Sequence, residues 1–555
     1  LKSPPISPEK IIAFCVVAVG VVFAVATQHA WEDYWITFRI SRNFATGHGL
    51  VFTPGDKLHV FTSPLGVLLP ACFSWLTGNQ SDELPLWYFR LTSIIALSGG
   101  MFLLFQAVQK VAHNRLAIWL TVALVAFDAK LLDFSTNGME TGLLFFFLAL
   151  TIHALLLDAR HRVLRLGAGW AGLMWVRPDS CVYIFLLGVG ILMFLPSRET
   201  PQTRRIWWRM LLLAGLVCTV LYLPWFVWAW TYYGSPVPNT IVAKATNSLP
   251  LSFFGLCRDL LLFPFKLLEH RNSTTWTFMP AYAWFGGWPL LLRAVASALG
   301  LMAALSWLVP RLNPATRLFS FCFFFGNFFL TAVVRIPYPW YLPPVAVFGY
   351  LALGLLFDQA LGLASRVPPP TWMRAWSSTL TKSLRAAAWV LVAGQAVVTV
   401  CVARQMAVQQ ELIEDGLRRP IGLWLHEHAK TPGDTVLLEP LGYISYFSGL
   451  KMFDYPGLSS REMVAARRRL GLEHENLAFV ELKPDWMVLR PFEFEQNILV
   501  DQSQLRVLYE PLGVFDRRKE VAAVHWLPGR GYLEVDQTFV LFRRKPDVTA
   551  VEPGK

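Results

Sequence analysis

Charge is scarce in this 555-residue chain: Asp, Glu, Lys and Arg together make up 15%, against roughly 25% in an ordinary soluble domain. With 55% hydrophobic residues and a mean hydropathy of +0.44, that shortage excludes a soluble enzyme. Phosphate-binding Walker loops, a dinucleotide fingerprint after a strand and a zincin helix are all missing, which removes ATP-driven transport and nicotinamide redox work. Cysteine is sparse and unpatterned. Its seven positions (Cys15, Cys72, Cys181, Cys218, Cys257, Cys322, Cys401) fall mostly in apolar runs without a CxxC pair, so they read as small packing residues. Acidic residues are outnumbered 37 to 49, a net charge of +12. The excess base sits in short segments between apolar blocks, the positive-inside pattern of a membrane protein, so nucleic acid is not the expected partner.

What the chain does have is long apolar blocks near the ~20 residues that cross a bilayer core. About eleven spans are expected, near 11–29, 86–109, 116–133, 140–158, 166–176, 180–196, 209–230, 287–309, 318–334, 341–358 and 383–403. With the N-terminus inside, every inner loop is basic, including Lys110/Arg115, Arg160/Arg162/Arg165 and Arg311/Arg317. The first span is expected to be uncleaved. Leu65 to Leu76 is too short to cross and is read as a re-entrant or interfacial helix on the outer face. Arg177-Pro178-Asp179 interrupts one apolar pair, because proline disfavours helix at the residue before it and the charges are costly in lipid.

Residues 1–404 are therefore expected to form the transmembrane domain, with outer loops at 31–64 and 232–284. Residues 405–555 turn charged and strand-like, with an amphipathic stretch from Gln405 to His428 and β-rich runs at Thr435 to Leu438, Trp486 to Leu489 and Thr538 to Phe542. The odd span count places this α/β domain outside the cytoplasm.

The first outer loop opens with an acidic pair, Glu32-Asp33, directly after a span. A carboxylate there, partly desolvated, is suited to take the proton of a hydroxyl acceptor; ordinary interfacial solvation is the plainer reading from position alone. Further along stand Gly47-His48-Gly49, Asn137-Gly138-Met139-Glu140-Thr141, Arg177-Pro178-Asp179, Tyr232-Tyr233-Gly234 through Asn239-Thr240 to Lys244, and Gly442 to Gly449 followed by Asp454-Tyr455-Pro456-Gly457-Leu458.

In this order, these segments resemble the signatures of a subgroup of the GT-C glycosyltransferase superfamily that includes the mycobacterial terminal arabinofuranosyltransferases. The resemblance implies a polytopic helical membrane enzyme that transfers a sugar from a polyprenyl-phosphate carrier to a glycan or protein acceptor on the outer face. It also implies that a first-loop acid is the base. The family commonly carries Asp-Asp where this chain has Glu32-Asp33; Asp33 is favoured as base, with Glu32 its competitor or positioning partner. Arabinofuranose is the best guess for the sugar.

A phosphate leaving group calls for positive charge, for which Lys244, Arg177 and Arg335 are the candidates. His48, Asn239, Tyr338 and Glu140 are candidates to position substrate. Glu140 and His48 have plainer readings as a helix cap and a turn residue. His59 and His270 have no recognised metal-ligand spacing to the nearby acids, so no required cofactor is expected, with a divalent metal as the minor alternative. The absence of a DxD motif fits a lipid-linked donor. The expected location is a bacterial inner membrane, in contact with its lipids. Two other readings use the same spans: a flippase for lipid-linked sugars, which calls for inverted repeats that the sequence does not show, and a non-catalytic scaffold of envelope polysaccharide assembly, for which the acidic pair would be dispensable.

Overall fold

The computed structural model describes residues 7–157, 160–195, 201–248, 252–267, 269, 273–335, 338–366 and 371–546. His270 lies outside them. The membrane part is helical throughout. It begins with α1 (Pro8–Thr27), α2 (Glu32–Ala45), α3 (Pro64–Leu76), α4 (Glu83–Val111), α5 (Arg115–Ala126), α6 (Ala129–Thr136), α7 (Thr141–Leu156), α8 (Arg162–Val176) and α9 (Cys181–Phe194). There follow α10 (Pro201–Tyr233), α11 (Asn239–Ala245), α12 (Phe253–Lys266), α13 (Ser273–Phe278), α14 (Leu290–Leu305), α15 (Pro314–Phe329), α16 (Leu342–Arg366) and α17 (Thr371–Val408). Each expected span coincides with helix. Among the described residues, seven helices are long and apolar enough to cross a membrane, and Pro64–Leu76, Arg115–Ala126, Thr141–Leu156 and Pro178–Phe194 are shorter apolar helices.

Two expectations need correction. The span expected at 116–133 is broken, because Asp128 ends α5 by capping α6: its carboxylate accepts from the Leu131 N–H at 2.8 Å and from the Tyr350 hydroxyl at 2.7 Å. Residues 404 and 405, where the domain boundary is expected, lie within one continuous helix, Thr379–His428, whose segment Gln409–Arg418 is wound as a π-helix. Finally, all seven cysteines are free but only Cys322 is buried, while Cys15, Cys72, Cys181 and Cys257 are exposed; on helices that face lipid, an apolar neighbourhood in sequence does not mean burial in protein.

The short α3, about 20 Å long by its residue count, lies against α2. Its start is capped by the Ser63 hydroxyl, which accepts from the Gly66 N–H at 2.9 Å. The Arg177-Pro178-Asp179 interruption is real: α8 stops at Val176 and a single 3-10 turn, Pro178–Ser180, precedes α9.

The C-terminal part carries a five-stranded sheet in the order β2-β1-β3-β5-β4. Its strands are β1 (Thr435–Leu438), β2 (Lys451–Asp454), β3 (Trp486–Leu489), β4 (Tyr509–Asp516) and β5 (Thr538–Arg544). β1 runs parallel to both β2 and β3, while β5 pairs antiparallel with β3 and β4. The three β-rich runs read from sequence are β1, β3 and β5; β2 and β4 add two more.

This domain is seated on α2. Gly442, which opens the helical turn after β1, lies so close to α2 that a Cβ there would stand 1.9 Å from the Glu32 carbonyl oxygen. Trp35 packs its ring against those of Tyr443, Tyr446 and Phe447, at 5.2, 4.7 and 5.1 Å. Buried Arg39 completes the seat. It donates to the carbonyls of Phe52 (3.0 Å), Ser445 (2.7 Å), Gly449 (3.1 Å) and Leu450 (2.9 Å). Removing a charged donor leaves those acceptors unpaired in a dry interface. Arg39→Ala should therefore lower stability by about 3 kcal/mol or more, read as a fall in Tm and as faster proteolysis within residues 405–545; an unchanged Tm would show that the interface does not depend on it.

Candidate active site

The first turn of α2 holds two acids, favourable at a helix N-terminus, and helical spacing sends them different ways. Asp33, with Ile36 and Thr37 one turn on, lines a cavity closed by Val60 to Ser63, Met139, Glu140, Arg177, Thr240, Lys244, Trp340, Tyr341 and Leu458. Four sequence candidates thus meet in one place: Asp33, Lys244, Arg177 and Glu140.

Glu32 does not line that cavity. It faces the C-terminal domain, accepting from the Gly442 backbone N–H and from Arg418 at 3.0 Å. Arg418 also reaches Glu414 at 2.8 Å and Asp536 at 2.6 Å. Asp536 in turn accepts from Arg490 at 2.9 Å, and Arg490 holds Glu493 and Glu439 at 2.6 Å each. An alternating row of acidic and basic side chains therefore runs Glu32, Arg418, Asp536, Arg490, Glu439. Burial, with help from the Glu414 charge, outweighs Arg418 and pushes the Glu32 carboxyl up to about 8.

Asp33 is also raised, chiefly by desolvation. Lys244 and then Arg177 pull it back down, Glu439 pushes it up, and Arg418 lowers it. The two cations differ in how much charge they have to offer. Arg177 is already held by Asp179 at 3.1 Å and Glu140 at 3.3 Å, with its guanidinium 4.6 Å from the centre of the Tyr341 ring. Lys244 makes no carboxylate pair among the described residues; its ammonium sits 5.1 Å from the centre of the Tyr338 ring and 6.0 Å from that of Trp340. Tyr338 and Trp340 stack on each other at 4.8 Å, so Tyr338 supports one wall through Trp340 and Lys244.

The remaining candidates lie elsewhere. Arg335 lines a separate cavity with Arg258 and Lys266 beside α12. His48 is exposed, and its ring nitrogen lies 2.9 Å from the Thr46 hydroxyl. Asn239 donates to the carbonyls of Gly457 (2.9 Å) and Leu458 (2.8 Å), and so holds Leu458 at the cavity wall. The carboxylate of Asp454 accepts backbone N–H groups from Gly457, Leu458 and Ser459 and shapes the same loop. Glu140 makes no cap bond with its side chain; it pairs with Arg177. His59 stacks on Tyr233 at 4.4 Å, and burial pushes its imidazole down to about 4. Among the described residues no three potential metal ligands of His, Cys, Asp and Glu gather.

Sequence reasoning missed Glu439, Arg418, Arg490 and Asp536. Glu439 had a signal, a lone acid at the end of a strand. β1 is flanked on its two sides by β2 and β3, and the carboxyl end of such a switch point is where open α/β sheets form a crevice.

Comparison with known proteins agrees with this picture. Over 242 residues the chain is 26% identical to the terminal β-(1→2)-arabinofuranosyltransferase of Corynebacterium glutamicum, which covers 39% of this chain and 33% of that protein. It is likewise 26% identical over 255 residues to the enzyme of that name from Mycobacterium tuberculosis, covering 41% and 37%. The chain thus matches only about a third of the length of these curated relatives. The crystal structure of ArnT from Cupriavidus metallidurans bound to undecaprenyl phosphate superposes with a TM-score of 0.52 at 14% identity, over 98% of this chain and all of that one. Residues 404–542 match a family model described as a domain of unknown function, DUF8728. The expected resemblance to the terminal arabinofuranosyltransferases is present, and the fold is like that of the ArnT structure, a multi-pass helical membrane protein, here with a small C-terminal α/β domain.

Arg418 is the cation shared by Glu32, Glu414 and Asp536, so Arg418→Met leaves three acids in a buried place without it. We expect a loss of about 3–5 kcal/mol and release of the C-terminal domain to protease, whereas Glu32→Gln, which keeps an oxygen for the Gly442 N–H, should be much milder. Equal effects of the two substitutions would place the anchor elsewhere.

Proposed function

We propose that this chain is a membrane glycosyltransferase that moves a sugar from a polyprenyl phosphate to a hydroxyl of a glycan or protein acceptor at the outer face of a bacterial inner membrane. In this reading the N-terminus is cytoplasmic and the C-terminal domain, residues 405–555, is extracytoplasmic. Arabinofuranose is the favoured sugar, on the strength of the relatives. One observation carries the reading: Asp33, a carboxylate with a raised pKa, shares a cavity with Lys244, a cation that no carboxylate pairs among the described residues.

The chemistry follows from that pairing. The acceptor hydroxyl gives its proton to Asp33 as its oxygen bonds to the anomeric carbon. The bond from that carbon to the phosphate oxygen breaks, and the charge that develops on the phosphate is met by Lys244. Arg177, neutralised by Glu140 and Asp179, shapes the pocket and adds field without carrying a free charge. Glu32 fixes the first turn of α2 and so the place of Asp33.

With purified protein in lipid, release of polyprenyl phosphate from polyprenyl-phosphoryl arabinofuranose should fall on the order of 10²–10⁴-fold in Asp33→Asn, with Glu32→Gln keeping most of the activity. Unchanged turnover in Asp33→Asn would sink the assignment of the base. A donor that binds and crosses vesicles uncleaved would favour the flippase reading.

The acid limb of kcat/KM should lie above the ordinary aspartate range, because Asp33 must be ionised and its pKa is raised. Lys244→Gln removes a charge that lowers that pKa and should move the limb to higher pH. Glu439→Gln removes one that raises it and should move the limb to lower pH. Shifts of the same sign in both variants would contradict this electrostatic layout.

A further inference from the structure

The cavity between α12 and the end of α15 has a volume of about 370 Å³, within the ~300–1,000 Å³ range of small-ligand sites. It owes its character to the two unlike sides of α12. Gly255, Asp259, Phe263 and Lys266 recur every three or four residues, which puts them on one face of the helix, and all four line the cavity. Phe254, Leu261 and Phe265 fall on the other side and are 83, 75 and 70% exposed, with Phe253 beside them at 74%. Buried Phe263 fastens the helix to α15, its ring 5.1 Å from that of Phe324 and 5.5 Å from that of Phe328. We infer that this groove seats the phosphate of an anionic phospholipid whose acyl chains lie along the exposed aromatic side of α12. The site is separate from the Asp33 cavity and independent of the reaction proposed for it.

Charge gives the sign of the ligand. Arg258, Lys266 and Arg335 line the groove against a single acid, Asp259, and that acid is taken by Arg258 at 3.2 Å. Lys266 is half-buried and makes no carboxylate pair among the described residues; its ammonium is a compact point charge of the kind that meets phosphate. Glu269 is exposed beyond the end of α12 and outside the lining. A neutral ligand would leave this excess of base unanswered, whereas a phosphodiester brings one negative charge and oxygens to accept from Lys266.

Position gives its source. A helix with an open apolar side and cations beside it has the make-up of one lying in the interface of a bilayer. The opposite wall of the groove is Phe328, Thr331, Ala332 and Arg335, at the end of α15 from which the chain goes on to Trp340 of the Asp33 cavity. Both cavities therefore stand at the same end of the membrane helices, where headgroups lie. Their chemistry differs: the one carboxylate in this lining is tied to an arginine, so the groove has nothing like the Asp33 and Lys244 pair, and it suits a resident phospholipid better than a sugar carrier that has to react.

The test uses the full chain in phosphatidylcholine nanodiscs doped with phosphatidylglycerol, with retained lipid counted by native mass spectrometry and an apparent Kd read from the doping series. Phosphatidylglycerol should be retained in preference to phosphatidylcholine. Lys266→Gln should weaken its Kd about fivefold, the worth of one lysine at a lipid surface, and Lys266→Arg should keep most of the binding. Asp259→Asn should strengthen it, because that acid repels the phosphate and occupies Arg258; Lys244→Gln, in the other cavity, should leave it unchanged. The proposal is overturned if the two lipids are retained equally, if Lys266→Gln and Asp259→Asn have no effect or act in the same direction, or if Lys244→Gln is the variant that releases the lipid. It is also overturned if an equal amount of polyprenyl phosphate displaces the phosphatidylglycerol, which would make the groove a seat for the sugar carrier. Because retention is read without turnover, a failed glycosyltransferase assay and a failed phospholipid site give different results.

Discussion

Arg418 joins the two halves of the molecule. It issues from the π-helical segment that continues the last long helix, and it holds Glu32 of the first outer loop, Glu414 of its own helix and Asp536 of the C-terminal domain. Buried ions persist only when paired and hydrogen-bonded, so each of these groups fixes where the others can be. The consequence reaches the cavity: Glu32 is pinned from outside, the first turn of α2 is set, and the neighbouring Asp33 is turned into the space beneath. Arg39, two turns further along α2, repeats the arrangement with backbone carbonyls from the same domain.

The soluble domain is thereby part of the site's construction. The carboxyl ends of its parallel strands face the membrane domain and carry Glu439, Asp454 and Arg490. Glu439 acts on Asp33 through its charge, and Asp454 folds the loop that brings Leu458 to the wall. An aromatic column ties in the second outer loop as well: Trp31 stacks with Tyr282 at 5.8 Å, and Tyr282 with Tyr532 at 4.4 Å. Three separate stretches of chain thus close around one acidic residue.

Much of this was legible in the residues. Span positions followed from apolar runs, because lipid demands them wherever the chain crosses. Asp33, Glu140, Arg177 and Lys244 were marked by local signatures, and the fold brings all four to one cavity. What escaped was the outcome of distant contacts. Nothing near Asp128 announces that Tyr350 will hold its carboxylate and break a span there. Arg418, Arg490 and Asp536 look like ordinary surface charges of an amphipathic stretch and a soluble domain until folding buries them together. Arg335 is a candidate phosphate partner by its residue type, yet its backbone takes a positive φ, +64°, and it lines a different cavity.

The glutamate at position 32 has a physical reason in these contacts. Where the signature it resembles commonly carries a pair of aspartates, this chain has Glu32 before Asp33, and position 32 has to reach both the Gly442 N–H and the Arg418 guanidinium across the seam between domains. An aspartate is shorter by one methylene; on a helix already brought so near that Gly442 tolerates no Cβ, it would have to give up one partner or draw the backbone closer still. The added length serves attachment, which separates the roles of the two acids: the first is saturated by partners and held largely out of water, while the second is the one left facing an open cavity and a lysine. Of the two, only Asp33 lines the cavity, which is why the proposed role of base is given to it and not to Glu32.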